Sequence, residues 1–125
     1  MTHLSLYVQV TWQEARRICV SNSADLASIT SEGERVFAWA LAGGKESTWI
    51  GGNDLQTEGV WTWADGTPWS NPLWDQGQPD NYQGLQDCAI LWAPANGLFD
   101  DDICTAKFKF ICKGKGKIKT NILRY

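Results

Sequence analysis

The chain has 125 residues, 43% of them hydrophobic, and its fourteen acids against eleven bases give a formal net charge of −3. That length is one domain, long enough to bury a core without metal or disulfide support. Five of the bases (Lys113, Lys115, Lys117, Lys119, Arg124) sit at the C-terminal end, so the remainder carries fourteen acids against six bases, or −8. Such a body repels nucleic acid. No apolar run reaches the ~18 residues of a membrane span. We therefore expect a domain over 1–113 and a solvated basic tail over 114–125.

Two helices are predicted first. Thr11-Trp12-Gln13-Glu14 reads as a capping box, with Ala15, Ile18 and Cys19 following on one face. Ser31-Glu32-Gly33-Glu34 reads as a second, leading into Val36, Phe37, Ala40 and Leu41 before Gly43-Gly44 ends the helix. A short strand is expected between them over Leu26 to Ile29. Thr48-Trp49-Ile50, Val60 to Trp63, Cys88 to Trp92 and Phe108 to Cys112 have the β-branched and aromatic content of strands. Between Trp63 and Cys88 lie 24 residues rich in Gly, Pro, Asn and Asp. An irregular stretch of that length in a small domain is usually functional.

Four cysteines allow three pairings, and with no CxxC and a single histidine, His3, a structural zinc site is not expected. The even count points to an oxidising compartment, hence to a secreted protein. The first twenty residues lack the apolar core of a signal peptide, so the expectation is a leader already removed or another export route.

From 46 to 106 the chain has no Lys, Arg or His, yet it carries ten carboxylates and six of the eight Trp. Carboxylates crowded into one small fold repel one another unless a cation neutralises them. An all-oxygen donor set suits a hard cation, Ca²⁺ above Mg²⁺. The alternative is a set of acids scattered over a solvated face.

Several motifs recur in a known order: Trp49-Ile50-Gly51-Gly52, Glu58-Gly59-Val60-Trp61-Thr62-Trp63-Ala64-Asp65-Gly66, Gln78-Pro79-Asp80-Asn81, Asp87-Cys88, Phe99-Asp100-Asp101 before Cys104, and Phe110-Ile111-Cys112. With Thr11 to Ala15 ahead of Cys19, they resemble the C-type lectin domain over roughly 5–113, in its galactose-type Gln-Pro-Asp subgroup. The resemblance implies an α+β fold with two helices, small antiparallel sheets and a long Ca²⁺-binding loop. It implies the disulfides Cys19–Cys112 and Cys88–Cys104, and a cis peptide before Pro79. It places Gln78, Asp80, Gln86, Asp100 and Asp101 around one Ca²⁺, and Asp54, Glu58, Asn81, Gln86 and Asp87 around an auxiliary one. Sugar hydroxyls would meet Gln78, Asp80, Gln86 and Asp100, and Tyr82 could stack on a sugar ring or serve only to pack the loop.

Two positions depart from the family pattern. The usual Glu before Asp-Cys is Gln86, and the usual Asn before the last ligand is Asp100. One change removes a charge and the other restores it, so three carboxylates (Asp80, Asp100, Asp101) remain at the first site. The amide and acid of the second pair are exchanged, which unsettles the galactose preference and leaves mannose-type sugars open. Catalysis is not expected, because no Ser/His/Asp or Cys/His set exists. The expected partner is therefore a galactose-type glycan, in glycan or microbe recognition. The alternatives are a protein-binding member of the fold and an ice-binding one. Trp12, Trp39, Trp49, Trp61 and Trp63 are expected in the core, and Trp69 and Trp74 as loop anchors.

Overall fold

A computed structural model describes residues 8–114 and 117–120. Helix α1, Trp12–Ser21, starts at the expected capping box: Glu14 N–H donates to Thr11 Oγ1 at 3.2 Å and Thr11 N–H to Glu14 Oε1 at 2.9 Å. Its inner face is Trp12, Ala15 and Cys19. Strand β1, Asp25–Leu26, is shorter than expected. Ala27 still bonds outward, its N–H to Ile111 O and its carbonyl to Gly51 N–H, but it joins two different strands and so forms no ladder.

Helix α2, Glu32–Leu41, corrects the sequence reading in two ways. Ser31 Oγ accepts from Glu34 N–H, but the Glu34 carboxylate turns to Thr30 N–H (2.9 Å) and Lys113 Nζ (2.8 Å), so only half a box forms. The buried face is Arg35, Ala38, Trp39 and then Ala42, while Val36, Phe37 and Leu41 are exposed. The rotation lets Arg35 join Glu32 to the Asn96 carbonyl (2.8 Å). It also seats Trp39 against Gly97, where φ is +86° and a Cβ would lie 2.7 Å from the indole.

The strands are β2 (Thr48–Asn53), β3 (Thr62–Trp63), β4 (Cys88–Trp92), β5 (Leu98–Asp102), β6 (Lys109–Gly114) and β7 (Lys117–Thr120). They pair in the order β1-β6-β2-β4-β5, with β3 on β2 and β7 on β6. The fold is α+β as expected, but β2 and β6 run parallel (Trp49 opposite Phe110), so the strands form a mixed sheet. The acidic β5 is a strand that the sequence pattern does not predict, and part of the tail expected in solvent is β7, whose Ile118 packs on the core. Tail residues 115, 116 and 121–125 lie outside the described residues.

Strand β2 is buried throughout, and side chains alternate between two cores. Ile50, Leu91 and Ile111 join Trp39, Trp61, Trp63 and Phe99 on one face, while Trp49, Ile90 and Phe110 join Trp12 on the other. The five tryptophans expected in the core are there. Gly51 is required where β2 passes β1, because a Cβ would lie 2.7 Å from the Leu26 carbonyl oxygen. The disulfides are Cys19–Cys112 and Cys88–Cys104, and no cysteine among the described residues is free.

Candidate metal and sugar site

The 24-residue irregular segment is threaded across the end of the sheet and pinned there. Phe99 N–H donates to Leu73 O at 2.9 Å and Asp75 N–H to Phe99 O at 2.8 Å, so residues 73–75 run along β5. Trp74 meets Trp61 edge-on at 4.8 Å, and Trp69 lies 4.5 Å from Trp63. Both loop tryptophans are anchors, as expected. Their burial fixes the path of the next residues, Gln78 to Asn81, directly over β5.

There the Gln78–Pro79 peptide is cis, as the family resemblance implies. Asp80 N–H is shared between Gln78 Oε1 (3.1 Å) and Asp101 Oδ1 (3.3 Å), and Asn81 N–H donates to Asp101 Oδ2 (2.7 Å). The fully buried Asp101 carboxylate thus holds two successive amides of the loop. Asp80, Asp100 and Asp101 each bring one oxygen within 4.8 Å of the others. Burial, then Asp101 and Asp80 as neighbours, pushes the Asp100 carboxyl up to about 7. Burial also raises Asp101, against the amides that lower it. Asp100 Oδ1 is buried without a hydrogen-bond partner.

The second expected group also assembles. Asp54, Glu58 and Asp87 bring oxygens within 4.8 Å of one another. Asp54 Oδ2 accepts from Gly59 N–H at 2.9 Å, but its Oδ1, and Oδ1 of Asp87, are buried without partners. Contacts with Asp87 and Asp54 push Glu58 up to about 7, and burial raises Asp54. Asn81 ties the groups together, since its Nδ2 donates to Glu58 Oε2 (3.0 Å) while its main chain holds Asp101.

Gln86 is engaged within the loop: its Oε1 accepts from Tyr82 N–H (3.2 Å) and its N–H donates to Asn81 Oδ1 (3.0 Å). Its side chain makes no hydrogen bond with either set of acids among the described residues. Tyr82 is 62% exposed at the loop tip. A cavity of ≈ 380 Å³ joins the two acidic groups, lined by Asp54, Glu58, Asp80, Asn81 and Asp101 with Trp61, Trp74 and Pro79 as its apolar wall. The wall role of Trp61 and Trp74 was missed, because sequence marks an indole as buried without showing which edge reaches a cavity.

The donor set fits a hard divalent cation. Buried carboxylate oxygens without partners are costly, and like-charged neighbours within 4.8 Å raise one another's affinity for a proton or a cation. Only oxygen donors are present, which favours Ca²⁺ over softer metals.

The family model of the Lectin C-type domain matches residues 8–114. C-type mannose receptor 2 of Mus musculus is 36% identical over 107 residues, covering 85% of this chain and 7% of that protein. Nattectin of Thalassophryne nattereri, named a galactose-specific lectin, is 35% identical over 106 residues, 81% of this chain and 65% of that one. Among solved structures, the C-type lectin CEL-I from Cucumaria echinata superposes with TM-score 0.77 at 29% identity, covering 83% of this chain and 82% of its own. Herring type II antifreeze protein superposes with TM-score 0.79 at 29% identity, covering 94% and 87%. The chain spans a small part of the mannose receptor and about two thirds of nattectin. With the matched segment running from before α1 to the end of β6, the chain belongs to the C-type lectin domain family.

Proposed function

We propose that this protein is a secreted Ca²⁺-dependent lectin that binds terminal sugars through Asp80, Asp100 and Asp101, with Gln78 and Gln86 completing the donor set. The observation that carries the reading is the buried, partnerless oxygen of Asp100 beside Asp80 and Asp101, under a loop fixed by cis-Pro79. A Ca²⁺ with six to eight oxygen ligands keeps positions that two vicinal sugar hydroxyls can fill. Asp80 is exposed and accepts from a hydroxyl, and Gln78 offers both a donor and an acceptor. The exposed Tyr82 ring is available to the apolar face of the sugar. Asp54, Glu58 and Asp87, with Asn81, form the auxiliary Ca²⁺ site. Two disulfides support an extracellular setting.

Galactose or N-acetylgalactosamine is the preferred ligand, on the Gln78-Pro79-Asp80 motif and the named specificity of nattectin. The exchange at Gln86 and Asp100 broadens that preference toward mannose-type diols. An immobilised galactose column tests the proposal: retention in Ca²⁺ and elution by EDTA are expected. Failure to bind galactose, N-acetylgalactosamine or mannose in Ca²⁺ would sink it. A second reading, ice binding, is favoured by the likeness to herring type II antifreeze protein. Thermal hysteresis in the absence of sugar binding would replace the first reading with the second.

A further inference from the structure

A groove of ≈ 500 Å³ lies between α1 and β3. Its walls come from three places: Trp12, Gln13 and Arg16 on α1; Asn53, Leu55 and Gln56 after β2; and Thr62, Trp63 and Ala64 around β3. None of its lining residues belongs to either acidic group. The two regions share one loop, 54–58, which places Asp54 and Glu58 in an acidic group and Leu55 and Gln56 in the groove wall.

Hydrogen bonds hold the frame of the groove. Asn53 donates to Gly51 O (3.1 Å) and accepts from Leu55 N–H (3.2 Å). Arg16 is held by Asp25 through Nε (3.2 Å) and by the Ala64 carbonyl through Nη2 (3.1 Å). Trp12 is anchored by its Nε1 donating to Ile50 O (2.9 Å). Gln13, Gln56 and Thr62 are exposed, and their side chains have no hydrogen-bond partner among the described residues. Leu55, 45% exposed, supplies an apolar surface beside them.

The lining contains no carboxylate, and its one charge, Arg16, is already neutralised by Asp25. Two amides and a hydroxyl, each able to donate and accept, match the hydroxyls of a sugar, and the Leu55 methyls match its C–H face. An extended peptide suits the groove less well. The Ala64 carbonyl beside the short strand β3 is taken by Arg16, so that point is closed to a peptide's main chain.

We propose that this groove is a second saccharide subsite that takes neutral sugar residues and needs no cation. It is a separate site from the Ca²⁺-dependent one and can succeed or fail without it. An open groove with few polar contacts implies millimolar affinity.

The test is an NMR titration of the full chain in EDTA with lactose and, separately, methyl α-mannoside. The readouts are the side-chain amides of Gln13 and Gln56 and the main-chain amide of Thr62. Saturable shifts at millimolar sugar are expected, weakened at least about tenfold by T62R, which fills the groove, and weakened also by Q56A. Main-chain amide dispersion retained outside the groove in both variants reports that they fold. Absence of saturable shifts with both sugars would overturn the proposal, as would shifts that survive both substitutions. Shifts caused by an acidic peptide but by neither sugar would make the groove a protein-docking surface and overturn it equally. Loss of Ca²⁺-dependent column binding with retained shifts in EDTA would leave this subsite standing and remove only the earlier reading.

Discussion

A buried carboxylate that accepts two main-chain amides positions a loop as well as supplying charge. Asp101 does this for Asp80 and Asn81. Asp101→Asn keeps the shape but replaces one acceptor oxygen by a donor facing an N–H. Hydrogen bonds to a charged group contribute about 1.5–3 kcal/mol, so Ca²⁺ affinity should fall by about tenfold or more in calorimetry. Asp100 and Glu58, both raised to about 7, set the pH dependence. Their folded values exceed the ordinary 3.8 and 4.5, so the folded chain holds extra protons between those limits. Their contribution to ion-free stability is therefore greatest below the ordinary values and falls as pH rises toward about 7. Ca²⁺ requires the ionised forms, so its binding should strengthen from pH 5.5 to 7.5 and release protons. Calorimetry in buffers of different ionisation enthalpy measures that release, and a Ca²⁺ heat independent of the buffer would contradict it.

The elements differ in how far sequence disclosed them. Strand β4 was read at its observed limits, Cys88–Trp92, because its apolar run is continuous and short. Strand β5 was not, since Asp is disfavoured in strands and three of its five residues are Asp. Its pairing with β4 over five positions, with Phe99 fully buried and the Cys88–Cys104 bridge beside it, outweighs that local preference. Helix α2 lies where its cap and its glycine stop predict, but the apolar pattern points Val36 and Phe37 inward, whereas both are exposed and Arg35 is buried. A hydrophobicity pattern does not reveal that a guanidinium has Glu32 and Asn96 waiting for it. The members of both acidic groups were legible from family motifs, whereas the link between them through Asn81 needed coordinates. The loop itself depends on its tryptophans. Trp74→Ala should cost up to about 3 kcal/mol in denaturant unfolding, given that the side chain is only partly buried. It should also weaken Ca²⁺ binding, because residues 78–81 lose their fixed approach. Full Ca²⁺ affinity in that variant would show that the loop is held by other means.

At the level of the whole molecule, two disulfides and two acidic groups act on opposite ends of the stability balance. Cys19–Cys112 closes 93 residues and Cys88–Cys104 closes 16, contributing on the order of 4–5 and 3 kcal/mol in the chain-entropy account. The acids oppose folding while they lack a counter-ion, in a body whose bases are concentrated at one end. Ca²⁺ at a hundred times its dissociation constant adds about 2.7 kcal/mol per site. Thermal unfolding should accordingly rise by several degrees with Ca²⁺ and fall on reduction, and the two effects should couple, because Cys88 adjoins Asp87 and pairs across the sheet with Asp102 beside Asp101. The central claim is that the two acidic groups are cation sites serving sugar binding. Calorimetric titration of the full chain with Ca²⁺ at pH 7.5 tests it most directly. Saturable heat at millimolar Ca²⁺ or below, weakened about tenfold or more at the Asp80–Asp100–Asp101 group in Asp101→Asn and followed by a sugar heat absent in EDTA, is the predicted result. No Ca²⁺ heat at millimolar concentration would contradict the account.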